Sequence, residues 1–528
     1  MKAFAQLFAR LDQTTKTSEK TAGLAEYFQT APDADRVWTI ALLTGRRPKR
    51  MANSTELRQW AAEAAGIPDW LFEECYGVAG DLAETIARLL PDGTDDRDQS
   101  LATTVAELMA LTGRSVEERR AFVLDRWHRQ SANERFLFNK LLTGGFRVGV
   151  SQGLLVRALA QFTGQDEAAL AHHLMGDWAP ATTRFQDLLA APSDLGARPY
   201  PFALASPFDE AGEELGQMSD WLVEWKWDGI RGQIIHRPGT FALWSRGEEL
   251  ITDRFPEFAP LTDFLPAGTV LDGEILAWRD GMPLPFADLQ KRIGRKSVPK
   301  KLLAEAPAHF VAYDLLELGG TDLRAQPLAT RRALLVDLLS KLSPSLPITI
   351  STQLSLQDWP DLAQSRARAP EHRAEGVMIK RLSSPYHTGR KRGDWWKYKV
   401  DPMTVDAVMI YAQAGHGRRA NLFTDFTFAV KDGNDLVPFA KAYSGLTDAE
   451  FQRITAWVQK NTLERFGPVR RVRPELVFEL AFEGIQHSPR HKSGIALRFP
   501  RMLRWRQDKT ADQIDSLDDL RRFLPPGA

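Results

Sequence analysis

The hydrophobic periodicity of this chain changes near residues 191–207, APSDLGARPYPFALASP. Before that stretch, apolar residues recur at helical spacing among charges, as in VEERRAFVLDRW (116–127) and SQGLLVRALAQF (151–162). In the second of these, Ser151 predicts an N-cap, Leu155, Leu159 and Phe162 share one face, and Gly164 ends the pattern. After it, short β-branched and aromatic runs dominate: LVEWK, GQIIH, TFALWS, TVLDGEILAW, HFVAYDLLEL, GVMIKR and WWKYK, with helical pieces such as ATRRALLVDLLSKL (329–342) between them. Accumulated Pro, Gly and Ser at the change mark a linker. A second boundary falls near KVDPMTVDAV (399–408), where Pro402 interrupts strand-like sequence. Beyond it, DAVMIYAQ, LFTDFTFAV, LVPFAKAYS and ELVFELAF predict a compact, mostly β domain. The reading is a multidomain α+β chain: all-α over 1–195, α+β over 203–400 and β over 401–528, in line with what 528 residues favour.

Composition narrows the class further. Hydrophobic residues at 43% and charged residues at 26% fit a folded chain, so disorder is not the default. Lys plus Arg and Asp plus Glu are both 68, so any nucleic-acid footprint must be a local patch. The single cysteine, Cys75, excludes a disulfide framework and a multi-cysteine zinc site, and fits a reducing cytosol. The N-terminal MKAFAQLFARLD has only a short apolar stretch, interrupted by Gln6 and Arg10, and lacks a signal-peptide core. No segment approaches the roughly 20 apolar residues needed to cross a bilayer. These features predict a soluble, cytoplasmic protein without a membrane partner.

VEWKWDGIRGQ (223–233) is the stretch with the most chemistry in it. Lys226 alternates with Trp225 and Trp227 at the end of a strand-like run, Asp228-Gly229 makes a turn, and Arg231 follows. Lys-x-Asp-Gly-x-Arg offers an amine nucleophile, a carboxylate and a guanidinium within six residues. A lysine attacks phosphorus only when neutral, and at the usual pKa of about 10.4 roughly one in 2,500 is neutral at pH 7. Reaching neutrality takes a shift of about three units, or about 4 kcal/mol. Desolvation and nearby cations supply it, whereas Asp228 opposes it and must be engaged elsewhere. A solvated surface lysine is the plain alternative.

Four later stretches complement this one. WSRGEEL (244–250) contributes Arg246, and VLDGEIL (270–276) contributes Asp272 and Glu274. HRAEGVMIKR (372–381) contributes Glu375 beside a glycine. DWWKYKV (394–400) places Lys397 and Lys399 two apart, on one face of a strand. Each also has a plain reading: a surface ion pair for Arg246, a turn for Asp272-Gly273, core packing for Trp395-Trp396 and for Tyr313. Together they supply carboxylates for a hard divalent cation, cations for phosphates and an aromatic for a base. In the helical region, NKLLTGGFRVGVS (139–151) is a glycine-rich turn carrying Arg147. It reads either as an interhelical loop or as a phosphate contact.

The ordered set of stretches, from Lys226 to RFPRMLRWRQDK (498–509), resembles the ATP-dependent DNA ligases of the covalent nucleotidyltransferase superfamily. The helical region is similar to the DNA-binding domain of the larger ligases, LLTGGFRVGVS being its most telling part, and ELVFELAFEGIQHSPRHKSGIALRFPR (475–501) is similar to bacterial members. The resemblance implies an N-terminal DNA-binding domain, a nucleotidyltransferase domain with antiparallel sheets and a C-terminal oligonucleotide-binding (OB-fold) barrel. It implies Lys226 as the nucleophile that becomes lysyl-AMP, with Glu224 among the nucleotide-binding residues. Arg231 and Arg246 then bind phosphate, Arg246 serving the DNA 5′-phosphate. Glu274 serves the ribose and the metal, Tyr313 stacks on adenine where the family more often has phenylalanine, and Glu375 serves the metal. Lys397 and Lys399 contact the α-phosphate, and Arg390 matches the arginine before that pair. Arg506, Asp508 and Lys509 match the terminal motif that orients the departing pyrophosphate, and Asp401 is the pivot. Lys140 and Arg147 fall to DNA contact. ATP and Mg²⁺ are the implied cofactors, nicked double-stranded DNA the implied partner, and a monomer encircling DNA in the bacterial nucleoid the implied setting. The basic stretches QKRIGRKSVPKK (290–301) and TGRKRGD (388–394) then face phosphates or solvent. An RNA ligase or capping-type transferase, and a non-catalytic DNA-clamping protein, are the competing readings. A NAD⁺-dependent ligase is disfavoured by the missing cysteines.

Overall fold

Helices occupy the first part of the chain, as the 3.6-residue periodicity requires, in a computed structural model. It describes residues 1–528 apart from 49–50, 80, 94–98, 144–145, 147, 176–177, 191–195, 209–211, 248, 294, 296–297, 416–418, 420, 490 and 525–528. Local signals set the helix ends. Asn53 with Glu56, and Ser115 with Glu118, form reciprocal capping boxes on Ser54–Ala65 and Val116–Arg129. Ser151 Oγ accepts the Leu154 N–H at 3.2 Å at the start of Gln152–Thr163, and Gly164 follows with φ +71°. No helix among the described residues is long and apolar enough to cross a membrane.

The chain divides into two compact units, Met1–Phe162 with Asp401–Ala528, and Thr163–Val400. The helices Glu167–His173 and Phe185–Leu189 thus belong with the central unit, although the sequence boundary at 195 groups them with the N-terminal region. Of the linker expected over 191–207, the described part from Gly196 onward is tighter than its composition suggests. Tyr200 is buried, exchanging two 2.8 Å hydrogen bonds with the Gln233 side chain, and its hydroxyl donates to Glu317 at 2.7 Å. Arg237 bonds the same carboxylate and the carbonyls of Gly196 and Arg198. Buried polar partners, invisible to a Pro/Gly count, hold this segment down.

The central unit holds two main sheets. The larger runs Ile348–Ile350, Ala308–Leu318, Thr269–Arg279, Ile230–Arg237, Thr240–Ser245, antiparallel except for the first, parallel pair. The smaller runs Ser206–Pro207, Trp395–Lys399, Ala374–Arg381, Trp221–Trp227. In the smaller sheet the two-residue period separates the faces. Trp221, Val223, Trp225, Val377, Ile379 and Trp396 pack on Met218, Leu362 and Ala369. Glu224, Met378 and Lys397 are in register on the opposite face. The helix Leu328–Ser340 is tied to the larger sheet by Arg331, whose guanidinium grips Asp314 at 2.8 and 2.9 Å with both side chains fully buried.

The C-terminal part is rich in strands. Met403–Ala414 pairs with Phe423–Asp432 on one edge; on the other it pairs with Val477–Phe482 along its first half and Val469–Val472 along its second. Phe426, Phe428 and Phe478 form its core with Phe451 and Ile454 of the helix Asp448–Lys460.

Candidate active site

Two β-bulges build the site. Between the pairs Ala374–Trp227 and Val377–Trp225, the chain sets two residues, Glu375 and Gly376, against Lys226 alone. Such a bulge bends a strand and re-aims its side chains. Gly376 takes φ +146°, and a Cβ there would lie 2.1 Å from the Tyr398 carbonyl, so only glycine fits. The outcome is that Glu375 Oε2 accepts from Lys226 Nζ at 2.5 Å and lies 3.3 Å from Lys399 Nζ. The second bulge falls between the pairs Asp272–Asp314 and Gly273–Ala312, and Tyr313 is its extra residue. Gly229 permits the turn after Lys226 to approach the neighbouring strand, since a Cβ there would meet the Ile275 carbonyl at 2.4 Å.

The electrostatics follow from burial and crowding. Burial pushes the Glu375 carboxyl up, but the charge and hydrogen bond of Lys226, with Lys399, outweigh it and hold the group below the usual carboxylate range. Asp228 lies beside the Glu375 carboxyl, within the cluster that surrounds Lys226 and not apart from it. Glu274 goes the other way. Burial, reinforced by Glu375 and Asp272, outweighs Lys226 and Arg231 and pushes it up to about 8. The Lys397 ammonium is pulled down by burial first, then by Arg390, Lys399, Lys226 and Arg246. Lys397, Arg390 and Arg246 have no carboxylate ion-pair partner among the described residues. A half-buried face with surplus cations is an anion site.

Other residues singled out in the sequence are placed differently. Arg231 is not open to a phosphate in this state. It makes a bidentate pair with Asp272 at 3.2 and 2.7 Å, donates to the Ala203 carbonyl at 2.5 Å, and reaches the Tyr386 hydroxyl at 3.3 Å. Asp272 is fully buried, so its charge demands that partner. Arg246 is exposed after its strand, and its backbone N–H donates to the Arg231 carbonyl at 2.9 Å. Tyr313 is buried, with the Lys380 ammonium 4.2 Å from its ring centroid. Glu224 is buried; one carboxylate oxygen accepts from Lys380, and the other lies 3.7 Å from Arg332 without a hydrogen bond. Arg506, Asp508 and Lys509 gather in the C-terminal part around Asp406: Arg506 bonds Asp406 at 3.0 Å and Asp508 at 2.7 Å, and Lys509 also pairs with Asp406.

In the helical region Lys140, read as a DNA contact, pairs instead with Asp81, the N-cap of Leu82–Leu89, both side chains being mostly buried. Arg147, with Gly144 and Gly145, lies outside the described residues. Sequence reasoning missed Lys380, Tyr386, Arg332 and Asp406. For Lys380 in GVMIKR and Asp406 in MTVDAVM the sequence signal is a polar residue inside an apolar run; Tyr386 and Arg332 carry no such signal.

Three family models cover most of the chain. Residues 1–160 match the DNA ligase N terminus, 202–399 the ATP dependent DNA ligase domain, and 419–509 the ATP dependent DNA ligase C terminal region. A probable DNA ligase of Koribacter versatilis is 33% identical over 98% of this chain and 95% of its own length. The chain belongs to the ATP-dependent DNA ligase family. A probable DNA ligase of Streptomyces griseus is 32% identical over 97% of this chain and 98% of its own. DNA ligase 1 of Korarchaeum cryptofilum is 28% identical over 99% and 98%. The solved structure Pmar-Lig_PreS3 shares the fold, with a TM-score of 0.61 and 17% identity over 95% of this chain and 99% of its own. Membership makes this an enzyme that joins DNA and uses ATP, in preference to an RNA ligase, a capping-type transferase or a non-catalytic clamp.

Proposed function

We propose that this ligase seals nicks in duplex DNA through a covalent lysyl-AMP on Lys226, and the observation that carries the reading is the Lys226 amine set among Glu375, Lys399 and Lys397. Deprotonated Lys226 Nζ attacks the α-phosphorus of ATP, forming the P–N bond as the bond to the pyrophosphate oxygen breaks. Lys397 and Lys399 offset the negative charge that develops on the α-phosphate. The 5′-phosphate oxygen at the nick then takes the adenylate from Lys226. Finally the 3′-hydroxyl attacks that phosphate, forming the phosphodiester and releasing AMP.

Tyr313 stacks on the base, Glu224 and Glu274 hold the nucleoside, and Arg390 and Arg246 bind phosphate, Arg246 that of the DNA. Arg231 acts through Asp272, or on phosphate after that pair opens. Glu274 and Glu375 fit Mg²⁺: both are hard oxygen donors, and no larger group of metal-ligating side chains occurs among the described residues. That suits a cation held by one or two carboxylates plus substrate phosphates. Mg²⁺, when bound, supplies charge neutralisation at the phosphates.

Residues 1–195 serve to bind DNA, 203–400 to carry the adenylate, and 401–528 form an OB-fold domain whose Arg506, Asp508 and Lys509 serve the first step only. Asp401 is the pivot, and a cytoplasmic monomer encircling nicked DNA is the working form. Labelling with α-³²P-ATP against GTP and NAD⁺, with Lys226→Ala as control, tests the first step. Sealing of nicks with DNA or RNA strands tests the substrate. Label on another residue, or transfer from NAD⁺, would overturn the proposal.

A further inference from the structure

The segment Ala203–Pro207 pairs in parallel with two stretches that are not contiguous in sequence. Leu204 faces Arg390, while Ser206 faces Trp396 and Pro207 faces Lys397. Ala205 alone separates the two parts on this side, but residues 391–395 separate them on the other. The chain therefore leaves the sheet edge after Arg390 and returns at Trp396. Gly389 at φ +71° and Gly393 at φ +108° flank the excursion, and nothing packs within 4 Å of a Cβ built on either. Exposed Lys391 and Arg392 add like charge. Glycine backbone and neighbouring like charges leave the loop dependent on its side-chain contacts.

A side-chain pair spans its base, while the Arg392 guanidinium sits 5.2 Å from the Trp396 ring centroid. His387 Nε2 lies 2.7 Å from Asp394 Oδ2, across the base of the excursion. Asp394 is anchored in turn: its carbonyl accepts the Arg381 N–H at 2.8 Å, and its carboxylate lies 3.8 Å from the Arg381 guanidinium, which sits 4.2 Å from the Trp221 ring centroid. The cleft between His387, Asp394, Lys391 and Trp395 on one side and Ala203 and Leu204 on the other has a volume of about 10 Å³, no larger than one water. Trp395 anchors the far end of the loop in an apolar cluster with Tyr386 and Ala203, and the His387–Asp394 pair is the polar tie at its base.

Along the shared edge, the partners of Arg390 and Lys397 are three residues apart, which sets the two backbones about 10 Å apart. The Arg390 charge acts directly on the Lys397 ammonium, so the two side chains lie close enough to meet on one anion. Resting on the assignment of Arg390 and Lys397 as phosphate ligands, we propose that His387 and Asp394 form a positioning clasp that holds Arg390 where it shares a nucleotide phosphate with Lys397.

His387→Phe keeps a ring and loses the donor, whereas His387→Gln keeps an N–H that reaches Asp394. In the full-length enzyme, self-adenylation by His387→Phe should show KM for ATP raised about tenfold with kcat little changed, and His387→Gln should restore it. In an Arg390→Ala background, His387→Phe should add nothing, because the clasp acts through Arg390. An unchanged KM in His387→Phe, or losses that add in the double variant, would overturn the clasp while leaving Arg390 as a ligand. An unchanged KM in Arg390→Ala would overturn the assignment of Arg390 and the clasp with it. If His387→Phe does not fold, Asp394→Asn carries the same comparison.

Discussion

Lys226 Nζ lies 2.5 Å from Glu375 Oε2, and Lys399 Nζ lies 3.3 Å from that same oxygen. One carboxylate thus holds the amine proposed as nucleophile and a cation proposed to meet the α-phosphate. Anything that draws Glu375 away loosens both at once.

Lys226→Ala should take up no label from α-³²P-ATP while still shifting nicked duplex in a mobility assay. Lys226→Arg should be equally inactive, because a guanidinium stays protonated near neutral pH. Detectable label on either variant would place the chemistry elsewhere.

Glu375→Gln should slow self-adenylation by about 10²- to 10³-fold, measured under single turnover. Its effect on stability has a defined pH window. The folded carboxyl sits below its unfolded value, so its contribution is fully present above about pH 4.3 and is lost as pH falls through the folded value. The stability difference between wild type and Glu375→Gln should therefore be level above about pH 5 and shrink in acid, read by thermal melts without divalent cation.

Glu274 carries the opposite sign. With its folded pKa pushed up to about 8, the native chain keeps a proton that the unfolded chain loses near pH 4.3. Stability then declines as pH rises between those values, and the ionised form is unfavourable above about pH 8. Glu274→Gln, permanently neutral, should be more stable than wild type by roughly 1–3 kcal/mol at about pH 8.5 and nearly equal to it at about pH 4. A constant offset across that range would count against a raised pKa.

Gly376→Ala should abolish adenylation although the new methyl group carries no chemistry. A Cβ 2.1 Å from the Tyr398 carbonyl, on a backbone at φ +146°, forces the bulge to move and takes Glu375 from Lys226. Chemical denaturation should show a loss of about 2–4 kcal/mol. Wild-type adenylation in this variant would mean that the bulge does not aim Glu375.

Asp406→Asn should separate the chemical steps. Asp406 holds both Arg506 and Lys509, so its loss should slow self-adenylation about tenfold or more. Sealing of a nick that already carries 5′-adenylate should stay within about threefold of wild type. Equal loss in both assays would remove the first-step assignment.

Strand and helix positions were legible because they rest on short-range periodicity. ATRRALLVDLLSKL, read as helical over 329–342, is the helix Leu328–Ser340. TVLDGEILAW and HFVAYDLLEL lie within Thr269–Arg279 and Ala308–Leu318. Less legible were charged residues whose partners are remote. Arg231 and Lys140 have the residue type for phosphate contact, but Asp272 and Asp81 claim their charges. Lys380 sits in a strand that local pattern reads as apolar, and its pairing with Glu224, 156 residues away, has no local trace.

The sequence by itself determined which side chains share a strand face: Lys397 and Lys399 lie together because side chains alternate with a period of two. It also determined the family, since its motifs recur in order along the chain. Only tertiary structure decided that Glu375, 149 residues from Lys226, meets its amine. That contact depends on a bulge between strands remote in sequence. The offset of one residue is set by how the strands pack, and no local run of residues encodes it.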